Sequence, residues 1–260
     1  MQIYYSIIVF IFGLVFGSFY NVVGYRLPNK MSIAFPSSFC PNCNHKLKWY
    51  ELIPVFSYIF QFGKCKNCKN NISIIYPVIE ILTATSFLIS YILFGFSIKF
   101  IIALVFISAL IIISISDLRY YIVPDEILII SIVLIVMLYL INVIINKESM
   151  IDGFLFKFLN GCLSFFSIYI FKIISDFVFK KESLGGGDVK LFFLIGLVLG
   201  FDMSFLTLFL ASLIALPLST YSLIKNSNNV IPFGPYLSIS SIIILFSNIN
   251  LNDVLNFFIK

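Results

Sequence analysis

An all-α, polytopic membrane protein is the fold class this sequence predicts, on three observations. Of its 260 residues, 60% are hydrophobic and only 11% are charged, with mean hydropathy +1.06. A soluble domain carries about 25% charged residues. Apolar runs near membrane-crossing length recur along the chain, and one substantial polar stretch, residues 24–72, interrupts them near the N-terminus.

The runs predict about eight transmembrane helices, at 3–23, 73–96, 98–116, 127–145, 153–179, 189–201, 203–224 and 233–249. The first resembles a signal peptide only superficially. No basic side chain precedes it and no Ala-x-Ala site follows it, so it reads as a retained span. The sixth is short, and polar residues interrupt the last. The expected organisation is a first span over 1–23, a small cytoplasmic domain over 24–72, and a membrane-embedded core over 73–260. Inside the small domain, Ile53 to Phe62 is apolar but too short to cross; it is expected to pack under the domain or to lie in the membrane interface.

Charge placement orients the chain. With residues 24–72 in the cytoplasm, twelve of the 17 Lys and Arg residues are cytoplasmic: Arg26, Lys30, the five lysines from Lys46 to Lys69, Arg119, Lys180, Lys181, Lys190 and Lys225. Lys99, Lys147 and Lys260 lie outside, and Lys157 and Lys172 fall within the fifth run, near enough to its ends to snorkel. This is the positive-inside pattern. It accounts for the net charge of +5 without a nucleic-acid partner, and none is expected.

The polar segment holds two CxxC pairs, Cys40-Pro41-Asn42-Cys43 and Cys65-Lys66-Asn67-Cys68. That spacing points to a structural zinc site of four thiolates, closed and without an open position for catalysis. Disulfides are the alternative, disfavoured in a cytoplasmic location. His45, the only histidine, reads as a surface residue, because four cysteines already complete a site. Cys162 stands alone in a predicted span and reads as packing. A segment this small buries little core, so metal binding supplies much of its folding energy.

Two carboxylates stand where apolar runs meet polar loops. Asp117 closes one run, in Asp117-Leu118-Arg119, and Asp188 opens another after Gly185-Gly186-Gly187. Charge at membrane depth is costly and marks function. A pair of aspartates can hydrolyse a peptide bond if one is ionised to activate water and the other protonated to assist the carbonyl. The glycines before Asp188 allow a substrate strand to approach the backbone. No Asp-Thr-Gly, Gly-x-Ser-x-Gly or His-Glu-x-x-His is present. Glu80, Asp125, Glu126 and Asp176 rank below this pair. Asp125 and Glu126 read as a helix start after Pro124, and Asp176 as a partner of Lys172 one helical turn back. Taken alone, the residues also admit a zinc-stabilised transporter or scaffold with ion-binding carboxylates.

Five segments together resemble the bacterial prepilin peptidases, also called type IV leader peptidases. They are Gly17-Ser18-Phe19-Tyr20-Asn21-Val22-Val23 through Arg26-Leu27-Pro28, the Cys40–Cys68 region with Trp49-Tyr50-Glu51-Leu52-Ile53-Pro54, Tyr76-Pro77-Val78-Ile79-Glu80, Asp117 through Pro124-Asp125, and Gly185-x-Gly187-Asp188-x-Lys190. The resemblance covers most of the chain. It implies a multi-pass protein of the bacterial inner membrane with its active site facing the cytoplasm. It also implies cleavage of the basic leader of type IV prepilins and type II secretion pseudopilins, then N-methylation of the new N-terminal residue from S-adenosylmethionine. Asp117 and Asp188 carry over as the catalytic pair, and Cys40, Cys43, Cys65 and Cys68 as zinc ligands. Arg119 departs from the family pattern, in which many members have an acid there. No strand leading into Gly-x-Gly-x-x-Gly is present, so the methyl donor rests on the resemblance alone.

Overall fold

The computed structural model describes residues 2–147, 149–180, 183–224 and 232–247. Lys181, Lys225 and Lys260 of the charge pattern lie outside the described residues, as does the end of the 233–249 run. Every apolar run is helical, and among the described residues the only β-pairing is two isolated bridges. The helices are α1 (Gln2–Arg26), α2 (Phe56–Phe60), α3 (Ile75–Phe94), α4 (Ile98–Tyr120), α5 (Asp125–Asn146), α6 (Phe156–Phe179), α7 (Gly186–Leu199), α8 (Phe201–Ile224) and α9 (Gly234–Ser247). A π-helical turn, Ile151–Leu155, leads into α6.

Among the described residues, six helices are long and apolar enough to cross a bilayer: α1, α3, α4, α5, α6 with its leading turn, and α8. The sixth and eighth runs form α7 and α9, each of 14 residues. At 1.5 Å per residue these reach about 21 Å, short of a hydrocarbon core of about 30 Å. Large apolar side chains such as Phe166, Ile170, Phe171 and Phe177 of α6 are exposed, as lipid contact requires. This is a multi-pass membrane protein.

The chain divides into two compact units, Met1–Phe100 and Ile101–Lys260. In the first, α1 and α3 pack backbone to backbone. A Cβ on Gly13 would fall 2.5 Å from Ala84 Cα, and one on Gly17 2.7 Å from Glu80 Cα. Small residues at helical spacing permit this approach, the usual way apolar helices associate in lipid. Asn21 crosses the pair, its Nδ2 donating to Gly17 O (3.1 Å) and Tyr76 O (3.3 Å). Arg26, buried at the end of α1, donates through Nη1 to Ser32 O and Ile33 O and folds the polar segment back on itself.

In the second unit α7 is deeply enclosed: Leu191, Phe192, Leu194 and Ile195 have no exposed surface. It lies against α6 where a Cβ on Gly196 would meet Ser164 Oγ, and Tyr139 of α5 donates to Leu197 O at 3.3 Å. Gly200, at φ +96°, turns the chain directly from α7 into α8, a conformation that favours glycine.

Candidate active site and metal centre

The two CxxC pairs fold as the same local structure twice. In each, the residue before the first cysteine bridges the residue three after the second: Phe39 with Lys46, and Lys64 with Asn71. In each, the first cysteine's N–H donates five residues on, to His45 O (2.9 Å) and Asn70 O (2.8 Å). In each, the residue after the second cysteine takes positive φ: Asn44 at 56° and Lys69 at 60°. The four Sγ atoms lie within 4.8 Å of one another, with Cys40–Cys68 at 3.9 Å and Cys43–Cys65 at 4.0 Å. A tetrahedron with metal–sulfur bonds of about 2.3 Å has sulfurs about 3.8 Å apart, whereas a disulfide needs about 2.05 Å. The sulfurs therefore fit one metal ion and form no disulfide.

Local bonds shape the thiols. The His45 N–H, then the Asn67 amide, hold the Cys43 thiol down at about 7. At Cys68 the Asn70 N–H acts downward, but burial and the neighbouring sulfurs push the thiol up to about 11. Sulfurs this crowded ionise together only around a cation. His45 is not among the sulfur cluster; its Nε2 lies 3.4 Å from Glu51 Oε2, which also accepts the Lys48 N–H at 2.8 Å. Cys162 sits partly buried in α6, away from any metal-binding group among the described residues.

Asp117 lies in the last turn of α4 and is buried, at 6% exposure. Its partner is the start of α9, where the Gly234 N–H donates to Oδ2 at 2.8 Å. The first N–H groups of a helix have no partner within it; here a carboxylate 117 positions away supplies one. A Cβ on Gly234 would stand 2.8 Å from that same oxygen, so the contact needs glycine.

Asp188 occupies the third position of α7 and is equally buried, at 8%. Its carboxylate lies close to Gly185, the residue that caps the helix: a Cβ on Gly185 would fall 3.1 Å from Oδ2. The other oxygen, Oδ1, is buried with no hydrogen-bond partner. Asp117 and Asp188 are within electrostatic reach of each other. The loop between α4 and α5 meets the start of α7, since a Cβ on Gly187 would fall 2.6 Å from Val123 Cβ. Lys190 Nζ clasps both oxygens of Asp125 at 2.7 and 2.8 Å, tying α5 to α7.

The structure thus gathers both sequence-predicted aspartates into one unit, each at a helix end. The lower-ranked acids have separate tasks. Glu80 accepts the Val55 N–H at 2.7 Å, and Asp125 begins α5 as expected. Asp176 accepts the Ser183 N–H and hydroxyl at 2.6 and 2.8 Å, holding the turn after α6; those bonds, rather than Lys172, are its close partners. The contact that sequence reasoning missed is Gly234. A Gly-Pro pair opening an apolar run signals a helix start, but nothing local links it to Asp117.

Comparison with known proteins agrees with this layout. Residues 11–94 match the Bacterial Peptidase A24 N-terminal domain, and residues 104–220 match the type IV leader peptidase family. Among curated relatives, the prepilin leader peptidase/N-methyltransferase of Bacillus subtilis is 35% identical over 97% of this chain and 97% of its own length. The protein of the same name from Pseudomonas aeruginosa is 33% identical over 90% of this chain and 87% of its own. That from Vibrio cholerae is 30% identical over 95% and 98%. No solved structure matches the chain. With two buried aspartates in the matched core and a four-sulfur centre in the matched N-terminal region, the chain belongs to the type IV leader peptidase family.

Proposed function

We propose that this protein is an aspartic endopeptidase of the bacterial inner membrane. It removes the leader peptide of type IV prepilins or pseudopilins at the cytoplasmic face and then N-methylates the new N-terminal residue. The observation that carries the peptidase reading is the pair itself. Asp188 Oδ1 is buried and free to accept, while Asp117 Oδ2 is fixed by the Gly234 N–H. Asp117 therefore has one oxygen anchored by backbone, and Asp188 has one left for a reactant.

The chemistry follows from such a pair. The ionised aspartate takes a proton from water as the water oxygen attacks the scissile carbonyl. The protonated aspartate gives its proton to the carbonyl oxygen. The tetrahedral intermediate collapses as the second aspartate takes back a hydroxyl proton, the C–N bond breaks and the leaving amine takes a proton from the first aspartate, so that one proton remains on the pair. Two like charges held close keep a single proton between them, which is the state the next turnover needs.

Zinc suits Cys40, Cys43, Cys65 and Cys68, because thiolates in tetrahedral array select it and a closed site has a structural task. S-adenosylmethionine would supply the methyl group. The described residues contain no strand-based nucleotide cradle, and no residue is assigned to the donor. The cytoplasmic orientation rests on the Lys and Arg pattern. Reconstituted protein incubated with a prepilin tests the reading by mass spectrometry. Loss of the leader mass is expected, with a further 14 Da gained when the methyl donor is added (the mass of one CH₂). An uncut prepilin in the presence of correctly inserted, metal-loaded protein would refute it.

A further inference from the structure

The segment between α1 and α3 wears its apolar side chains on the outside. Trp49 is 79% exposed, Phe60 78% and Phe62 88%, with Phe56 and Ile59 more than half exposed. Phe56, Ile59 and Phe60 are spaced three and four apart on α2, so they form one face. Packing beneath the cysteine domain, one of the two expectations for this stretch, would have buried them.

The segment that bears this face carries exposed charge of a single sign. Lys30, Lys46, Lys48, Lys64, Lys66 and Lys69 are all exposed. The one acidic residue between Leu27 and Ile74 is Glu51, which is buried beside His45. Aromatic rings flanked by lysines suit the interface of an anionic bilayer, where rings sit at headgroup level and each cation is drawn to the surface. A second copy of this face, or a basic leader peptide, would be repelled.

A tether sets the depth. Val55, just before α2, has φ +62° and ψ −52°, strained for a β-branched residue. The Phe56 N–H closes the turn on Pro54 O at 2.6 Å. The Val55 N–H donates to Glu80 Oε2 at 2.7 Å, and Glu80 is the sixth residue of the membrane-crossing α3. The start of α2 is thus held about 8 Å along that helix from its first residue. It cannot stand off in water.

We propose that α2, with Trp49 and Phe62, is an interfacial anchor that seats the cysteine domain on the anionic surface of the bilayer. This does not depend on the peptidase chemistry. Trp49 is the chain's only tryptophan, so its fluorescence reports on the anchor alone. The full chain is placed, one copy per disc, in lipid nanodiscs whose acyl chains are brominated near the headgroup. In phosphatidylglycerol discs the Trp49 emission should be quenched, with less quenching in phosphatidylcholine. A Phe56→Ser, Phe60→Ser variant should lose the quenching and shift to the red while keeping the wild-type metal content, which reports that the domain is still folded. Water-like, unquenched Trp49 in both lipids would overturn the proposal. So would a blue shift that arises only with added prepilin peptide, or only with two copies per disc, because either would identify a different occupant.

Discussion

Replacing Gly234 with alanine puts one methyl group against one carboxylate oxygen. The new Cβ would lie 2.8 Å from Asp117 Oδ2 and 3.4 Å from its Cγ, about half an ångström inside ordinary contact. Either Asp117 turns or α9 retreats, and both outcomes break the 2.8 Å bond from the Gly234 N–H. A hydrogen bond to a charged group contributes roughly 1.5–3 kcal/mol. If that bond holds Asp117 in its reacting pose, kcat should fall by about ten- to a hundredfold. KM should hold, because the lost contact is with the enzyme's own carboxylate and not with substrate. Ser247→Ala is the control: it alters the last residue of the same helix, 13 positions from Gly234, where the hydroxyl only donates back to Ile244 O. The assay is steady-state cleavage of a prepilin by both variants in the same bilayer, with thermal unfolding alongside. Gly234→Ala at wild-type kcat would show that the bond does not position Asp117. A fall in kcat equalled by Ser247→Ala would show that the effect is not local.

Asp117→Asn and Asp188→Asn should each reduce cleavage by at least about 10²–10⁴-fold while membrane insertion is retained; a processing gel with a membrane-fraction blot decides, and normal processing by either variant removes that residue from the pair. Purified protein should carry one zinc per chain by elemental analysis, and chelation or Cys40→Ser should expose residues 30–72 to protease before the helical core is lost. The half-exposed Lys190–Asp125 pair should contribute little to stability: a double-mutant cycle of Lys190→Gln and Asp125→Asn, read by thermal unfolding, should give a coupling of about 0.2–1 kcal/mol. A larger coupling would mean that the clasp between α5 and α7 bears more of the fold than its exposure suggests.

Much of this was legible in the chain because the signals are local. Membrane helices satisfy their own backbone, so apolar runs translate into helices with small errors at the ends. The cysteine pairs carry their geometry in their spacing. Asp117 and Asp188 were legible as charges in apolar company. Contacts made at long range were not. Gly234 and Asp117 are joined by a backbone N–H, which no side-chain pattern advertises. The bond from Val55 to Glu80 is of the same kind, and a valine at positive φ runs against its own preference. The enclosure of α7 was also hidden, because hydropathy does not separate a helix bathed in lipid from one enclosed by protein.

That enclosure has a consequence for how the protein meets different membranes. Helices that touch lipid answer a thicker or thinner bilayer by tilting. Helix α7, with Leu191, Phe192, Leu194 and Ile195 all fully covered, has other helices for its solvent. Asp188 rides on its first turn. The outer helices can lean to suit the local thickness while Asp188 keeps its place on α7, and Asp117, on the membrane-crossing α4, stays joined through Gly234 to the short helix α9.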